Sequence, residues 1–293
     1  PARPSAARPS AARDASYGQH DASAEPPRGR RLAAPPDERG FLLIATQRPI
    51  ALLRANPAED PSDELGAVLG DICATPYPSR VVVADERERA IVLARRPCDR
   101  VAVAIFEPPR APPGSTSVLL PLRLYKVAAL GAHAAAFPGG TLYVDNDVAL
   151  RIPRVGALFA IFDAMRAAGA AYGFGLDGRC VPLDHPLSNV PDTFCERNSG
   201  LIFFGDAARS SDLTSAWLDA MAATSADGHD QQPLRRVLWD RRDALYDLPP
   251  EIMCRRCTKR YKLDPCDYVV WHSHREKRER LLADATLCGY RVP

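Results

Sequence analysis

The chain has 293 residues, and its content of 46% hydrophobic and 25% charged residues is typical of a globular protein. A net charge of +2 argues against the basic surface that nucleic-acid binding needs, and the absence of an apolar run of about 18 residues argues against a membrane span. The chain begins at Pro1, which leaves open a removed signal or membrane anchor before it. Its eight cysteines fit either a few disulfides in an oxidising lumen or buried thiols.

Residues 1–38 have a composition that does not support a folded core. Pro, Ala, Ser and Arg dominate, and the stretch at 2–6 recurs at 7–11. Because large apolar side chains are nearly absent, this segment cannot bury enough surface to offset the entropy of ordering it. We therefore expect a disordered tail or stem, although early Arg, Ser and Ala are also typical of a transit peptide.

From Gly40 onward, apolar runs alternate with helical periodicity. Continuous apolar runs predict buried strands at 41–45, 80–84, 101–106, 141–144 and 200–204. Apolar residues at helical spacing predict helices from Pro49, at 63–73, 122–137 and 155–168, after an Asp212 cap, and from Asp230. Other patterns predict a strand at 170–174, a loop over 175–197, a last strand at 267–271 and a closing helix at 275–282. This alternation predicts an α/β fold with a mostly parallel sheet flanked by helices, in one domain over 39–293.

The strand at 141–144 ends in two acids one residue apart, Asp145 and Asp147. Side chains two residues apart in a strand share a face, so both carboxylates can reach one cation. Hard divalent cations prefer carboxylate oxygens and leave coordination positions for phosphate. The pair therefore indicates a divalent-metal site at the carboxyl end of a strand, where open α/β sheets bind ligands. The alternative is a polar turn.

Three further polar motifs follow, each at a strand end or a helix start. They are Asn198-Ser199-Gly200, Asp230-Gln231 and His272-x-His274. In this order, and with a Leu-Pro-Pro segment at 248–250, they resemble the nucleotide-diphospho-sugar transferases of the GT-A fold. The matching stretches are RLYKVAAL, TLYVDNDVAL, ERNSGLIFF, HDQQPLRRVLW, DLPPEIMCR and VVWHSH. The resemblance extends from about Phe41 to His274, and the ordered set is more specific than any single motif.

The resemblance implies a Rossmann-like GT-A domain in which a divalent ion, Mn²⁺ or Mg²⁺, bridges the diphosphate of a nucleotide-sugar donor, by expectation a UDP-sugar. Asp145, Asp147 and His272 would hold the ion, which offsets the charge that builds on the leaving group. The acceptor would be a hydroxyl of a glycan, a protein or a small molecule. Such an enzyme belongs in the Golgi or another secretory-pathway lumen, with the cytoplasm or another organelle left open.

The remaining site candidates each have a plain alternative. Asp230 would orient the acceptor hydroxyl or act as a base, or else it would cap its helix. Asn198 would bond sugar hydroxyls and Gly200 would allow close backbone approach, or else both would form a turn. Lys126 would contact a phosphate or a sugar, or else it would be a solvated helix lysine. Thr46 and Asp85 would contact the nucleoside, or else they would be turn residues at strand ends. Gln231 and His274 are candidates for the donor or acceptor side.

A group of cysteines and a histidine near the C-terminus supports a different hypothesis about function. Cys254, Cys257, Cys266 and His272 have a spacing that is compatible with a small zinc site, although the second pair lacks the tight spacing of the common zinc motifs. Three function classes follow: a metal-dependent glycosyltransferase, a non-catalytic glycan-binding or nucleotide-sugar-binding relative, and a zinc-stabilised interaction module. The intact acidic pair favours the enzyme, because loss of those acids is the simplest route to an inactive relative.

A chain that begins at Gly40 should fold and bind nucleotide as the full chain does, because the residues before it lack core-forming side chains. Circular dichroism, thermal unfolding and nucleotide binding, measured on both chains, test this. Loss of folding or of nucleotide binding in the shortened chain would contradict it.

Overall fold

A mixed sheet of seven strands lies at the centre of the protein. The computed structural model describes residues 39–45, 62–95, 98–107, 120–177, 190–223, 230–253 and 269–272. The strands are β1 (Arg39–Ile44), β2 (Ser79–Val83), β3 (Val101–Ile105), β4 (Gly140–Val144), β5 (Val148–Leu150), β6 (Tyr172–Leu176), β7 (Arg197–Phe204), β8 (Leu245–Asp247) and β9 (Val270–His272). The α-helices are α1 (Ser62–Cys73), α2 (Glu86–Arg95), α3 (Leu120–His133), α4 (Val155–Ala167), α5 (Ala207–Ala223) and α6 (Gln231–Asp240).

The strand order of the large sheet is β3-β2-β1-β4-β7-β6-β8. Parallel pairing joins β3, β2, β1 and β4, and it also joins β6 to β8. Among these described strands only β7 runs in the opposite direction, between β4 and β6. The carboxyl ends of β1 and β4 therefore lie side by side with the start of β7. A separate antiparallel pair, β5 with β9, adjoins that edge.

Both faces of the central strands β1, β4 and β7 are buried, and strand alternation divides the core in two. On β1, Phe41 and Leu43 face one cluster, whereas Leu42 and Ile44 face the other. Helices α1 and α4 cover the first face, and α3, α5 and α6 cover the second. Burial on both faces explains why the strands are continuous apolar runs in the sequence.

The five strands predicted from apolar runs are all present, each shifted by no more than a few residues, and the mostly parallel α/β sheet is confirmed. The helices predicted at 63–73 and 155–168 are also confirmed, and the strand predicted at 170–174 is β6. The helix that opens after Asp230 is α6. The predicted helix from Pro49, the closing helix at 275–282 and Cys254, Cys257 and Cys266 lie outside the described residues.

Three boundary predictions were wrong. The helix predicted to end at Phe137 ends at His133. The loop predicted over 175–197 starts later, because β6 continues to Leu176. Asp212 does not cap α5, which starts five residues earlier: the Arg209 N–H donates to Asp206 Oδ1 at 2.9 Å, so Asp206 is the capping residue. Asp212 instead accepts a bond from Arg241 Nε at 2.8 Å.

A glycine turn sets the entry into β4. Gly140 has a φ of 138°, a conformation that side chains with a Cβ rarely adopt. A Cβ at this position would also lie 2.5 Å from the Phe162 ring on α4. The Gly140 N–H donates to the Phe137 carbonyl at 3.0 Å, which closes the turn. The sequence that ends the preceding helix therefore also places the strand that leads to Asp145.

Among the described residues, no helix combines the length and the apolarity that crossing a bilayer requires. A disulfide joins Cys73, at the end of α1, to Cys98, just before β3. The Arg100 guanidinium adds a second link, since its Nη2 donates to the Cys73 carbonyl at 2.6 Å and to the Thr75 carbonyl at 3.0 Å. These contacts tie α1 to the outer strand of the sheet.

Replacing both Cys73 and Cys98 with serine should lower the free energy of unfolding by about 3 kcal/mol, because the disulfide closes a loop with a sequence separation of 25. Urea unfolding of the variant and of the wild type measures the difference. Wild type in reducing buffer should shift at least as far, because reduction also breaks the disulfide of Cys195. An unchanged unfolding midpoint would contradict the prediction.

Candidate active site

The acidic pair lies where the strand order reverses. Strands β2 and β3 are added on one side of β1, and β4 is then added on its other side. Open α/β sheets bind ligands at such a switch point. Asp145 follows β4 directly, and its N–H donates to the Gly200 carbonyl at 2.9 Å. The Asn146 amide donates to the Ile44 carbonyl at 3.4 Å. The turn after β4 is therefore fixed to both neighbouring strands.

The Asp145 carboxylate contacts Lys126 and Tyr143. Lys126 Nζ lies 2.9 Å from its Oδ1 and donates to its Oδ2 at 3.3 Å, and the Tyr143 hydroxyl donates to Oδ1. Tyr143 and Asp145 are two residues apart, so strand alternation puts both on the face that α3 covers. Burial, followed by the charge of Asp145, raises the pKa of Tyr143 well above its usual value, so its hydroxyl remains a proton donor.

Lys126 is enclosed by protein groups rather than solvated. Its side chain is 15% exposed, its ammonium lies 3.4 Å from Ser199 Oγ, and it stands 5.2 Å from the centroid of the Tyr143 ring. The alternative of a solvated helix lysine is therefore wrong. Lys126 is also the only lysine before Lys259 in a chain that otherwise uses arginine. A compact ammonium fits this space between a carboxylate, a hydroxyl and a ring face.

Asp230 belongs to the same network. Ser199 Oγ donates to its Oδ2 at 2.9 Å, and Arg123 Nε lies 3.9 Å from its Oδ1. Asp230 has the N-cap position of α6, but its side chain makes no capping bond and faces the site instead. Burial alone would raise its pKa; Lys126, Arg123 and the Ser199 hydroxyl outweigh this and lower the pKa below its usual value. Asp230 is therefore a carboxylate that stays ionised.

The Asn198 amide is used within the protein. This side chain is fully buried, its Nδ2 donates to Asp177 Oδ1 at 3.2 Å, and its Oδ1 accepts the Gly200 N–H at 2.7 Å. Gly200 in turn accepts the Asp145 N–H. In this conformation Asn198 supports the backbone that holds Asp145, and a direct contact between Asn198 and a sugar stays a prediction.

Asp147 lies in the turn between β4 and β5, where the Val148 N–H donates to the Asp145 carbonyl at 3.3 Å. In the β5–β9 pair, His272 lies opposite Val148, so the His272 backbone is next to the residue that follows Asp147. The His272 side chain, His274 and Thr46 lie outside the described set. Among the side chains that the structure does describe, no three His, Cys, Asp or Glu groups converge on one point.

Two further candidates lie near the same edge. Asp85 follows β2, and its Oδ1 accepts the Glu88 N–H at 2.9 Å, while Glu88 Oε2 accepts the Ala84 N–H at 2.8 Å. Asp85 therefore caps α2, and Glu88 satisfies the backbone N–H just before the cap. Gln231 is the first residue of α6 and is half-buried. Nucleoside binding by Asp85 and donor binding by Gln231 stay predictions.

No protein-family model matches this sequence, and no curated protein matches it. Solved structures do match. Mouse xyloside xylosyltransferase 1 in its apo form aligns over 81% of this chain and 98% of its own, with 16% identity and a TM-score of 0.51. The galactosyltransferase LgtC in complex with donor and acceptor sugar analogues aligns over 85% of this chain and 95% of its own, with 14% identity and a TM-score of 0.52. The chain has the GT-A fold.

Within this GT-A fold, sequence reasoning missed three residues of the network: Tyr143, Ser199 and Arg123. Two of them carried a local signal. Tyr143 precedes Asp145 by two residues in a strand, and Arg123 precedes Lys126 by three residues in a helix, so each pair shares a face. The contact between Ser199 and Asp230 has no local signal, because the two residues are 31 positions apart in the chain.

Asp230→Asn should lower the free energy of unfolding at pH 7. The pKa of Asp230 is lower in the folded state than the unfolded value of about 3.9, so its ionised form stabilises the fold above that pH, and this contribution is lost as the pH falls through the folded-state pKa. The difference from wild type should therefore shrink below about pH 4. Urea unfolding across pH 3–7 measures it, with the exposed Asp219→Asn as control. A difference that does not change with pH would contradict the prediction.

Proposed function

We propose that this chain is a metal-dependent glycosyltransferase that moves a sugar from a nucleotide-diphosphate sugar to a hydroxyl acceptor. The observation that carries the proposal is the network at the switch point of a GT-A fold, in which Asp145, Lys126, Ser199 and Asp230 follow one another within 3.4 Å. Burying a charged group lowers the stability of the fold unless a partner compensates the charge, and such groups are often found at functional sites. Here each has a partner, and the chain of contacts ends at the acidic turn.

The donor set at the acidic turn fits a divalent cation. Asp147 and Asp145 supply carboxylate oxygens, and the β5–β9 register brings the backbone of His272 beside the turn, so that its imidazole is the third candidate ligand. Mn²⁺ suits this mixture of oxygen and nitrogen ligands, and Mg²⁺ is the second choice. When bound, the ion would neutralise charge on the diphosphate leaving group. Because Lys126 and Tyr143 already contact Asp145, we expect Asp147 to be the more direct ligand.

The other residues of the network would act on the sugar and the acceptor. Lys126 adds a fixed positive charge beside the expected diphosphate position. Asp230 stays ionised with a lowered pKa, which makes it a poor base and a good hydrogen-bond acceptor. We therefore assign Asp230 the role of orienting a hydroxyl group. The UDP identity of the donor rests on the family resemblance, and the proposal of Thr46 and Asp85 as nucleoside contacts rests on their positions after the first two strands.

The compartment follows from the cysteines. The Cys73–Cys98 disulfide indicates folding in an oxidising environment, because cytosolic disulfides are usually reduced. We propose a secretory-pathway lumen such as the Golgi, and glycans or proteins that share this compartment as acceptors. No observation favours the zinc-stabilised module or the non-catalytic relative over the enzyme.

Replacing Asp147 with Asn should abolish Mn²⁺-dependent donor binding and turnover, because it removes a ligand charge and preserves the shape of the side chain. Asp145→Asn should also weaken both, and His272→Ala should weaken Mn²⁺ binding less than either, because the carboxylate pair remains. Thermal shift with a panel of nucleotide-sugars, with and without Mn²⁺, identifies the donor, since a ligand of the native state raises its stability. Mn²⁺ titration with that donor then compares the variants.

The control is Asp219→Asn, which removes an exposed carboxylate of α5. It should leave Mn²⁺ dependence and turnover unchanged. Unchanged metal dependence in both Asp145→Asn and Asp147→Asn would refute the metal site and remove most of the support for a glycosyltransferase.

A further inference from the structure

We propose that Tyr143 is a positioning residue that fixes the Asp145–Lys126 ion pair before the donor arrives. This inference rests on the proposed function, because that function gives the Asp145–Lys126 ion pair a role in donor binding. Tyr143 contacts both partners: its hydroxyl donates to Asp145 Oδ1, and its ring face lies 5.2 Å from Lys126 Nζ. A phenol offers a hydrogen-bond donor at its tip and a negative ring face, and the site uses both.

The position of Tyr143 is one of the most rigid in the fold. Its backbone pairs with Leu42 of β1 on one side and with Ile202 of β7 on the other. Its side chain is 1% exposed and packs in the second core cluster, under α3 and α5. Because strand pairing and core packing both hold the ring, the hydroxyl cannot follow Asp145 if that carboxylate moves.

This rigidity has a consequence for Asp145, whose side chain is 24% exposed and lies beyond the last residue of β4. Without further contacts, the side chain of a residue just beyond the end of a strand can rotate. The Tyr143 hydroxyl from the sheet holds Oδ1, and the Lys126 ammonium from α3 contacts Oδ1 and donates to Oδ2, so the two side chains restrain that rotation. The carboxylate therefore presents one orientation to a cation or a ribose, and little reorganisation is needed on binding. Tyr143 acts through Asp145 and Lys126 and need not touch the substrate.

The chain supplies a matched control. Tyr172 of β6 is also 1% exposed, packs in the same core cluster, and donates its hydroxyl to the Arg241 carbonyl at 3.0 Å, away from the acidic turn. Tyr143→Phe and Tyr172→Phe each remove one hydroxyl from a buried ring and keep the ring. Both should lower the melting temperature by a similar amount, so stability alone cannot separate them.

The first experiment measures Mn²⁺ dependence. Mn²⁺ is titrated at a fixed UDP concentration and followed by thermal shift, and it is titrated again in turnover with the donor identified above. For Tyr143→Phe the Mn²⁺ concentration at half-saturation should rise about 10-fold or more, which is typical when a partner of a metal ligand is lost. For Tyr172→Phe it should stay at the wild-type value.

The second experiment needs neither metal nor activity. Lys126 is the only lysine before Lys259, so one peptide reports its acetylation by mass spectrometry. In metal-free protein, Tyr143→Phe should raise the acetylation rate of Lys126 about fivefold, because the Asp145 carboxylate that pairs with the ammonium loses the hydrogen bond that holds it in place. Tyr172→Phe should leave that rate unchanged.

The two experiments separate this inference from the proposed function. Wild type without Mn²⁺-dependent binding of UDP or of any nucleotide-sugar in the panel would refute the metal-dependent function, and the acetylation rates would still decide whether Tyr143 holds the ion pair. An acetylation rate in Tyr143→Phe equal to that in Tyr172→Phe overturns the positioning role. So does a Mn²⁺ half-saturation that the two variants share.

Discussion

The site depends on β4, a strand that is hydrogen-bonded to a neighbour on each side and buried on both faces. Its alternating side chains divide between the two core clusters, so the strand can neither slip by one residue nor tilt without exposing apolar surface. Asp145 is the first residue beyond this fixed strand. The sheet thus gives a carboxylate at its edge a backbone position as rigid as that of a core residue.

The charges at this edge are balanced through a chain of alternating sign. Arg123 lies beside Asp230, Ser199 bridges Asp230 to Lys126, and Lys126 pairs with Asp145. Breaking a buried ion pair by removal of one partner costs about 3–5 kcal/mol, because the remaining charge is left uncompensated. These partly exposed pairs cost less, but they are still coupled, and a change at either end alters the electrostatic potential at the other. The charges at the donor end and at the acceptor end of the proposed site are therefore electrostatically coupled.

The GT-A fold and the site contribute different kinds of information. Structural similarity at 13–16% identity establishes the architecture, and one architecture can host several activities. What points to sugar transfer in this chain is the content of the switch point: an acidic turn, an enclosed lysine and an aspartate that remains ionised. A disulfide in the same domain adds a constraint on the compartment in which the protein folds.

Local sequence determined the elements that bury continuous apolar runs. Strands β1, β2, β3, β4 and β7 and helices α1 and α4 were predictable, because periodicity and burial are properties of neighbouring residues. The short strands β5 and β8 have three residues each, too few for a period to show, and the many charged residues of α2 obscure its narrow apolar face. Strand β9 overlaps the strand predicted at 267–271.

The site divides in the same way. Local sequence placed Asp145 and Asp147 after a strand and Asp230 directly before a helix, as the structure has them, whereas their roles in a site stay predictions. The contacts among these residues could not be predicted. Only the tertiary structure decided that Lys126 pairs with Asp145, that Ser199 joins Asp230 to Lys126, and that β9 sets the His272 backbone opposite Val148. Those contacts join segments far apart in the chain, and their geometry is fixed by packing across the sheet, which no local pattern records.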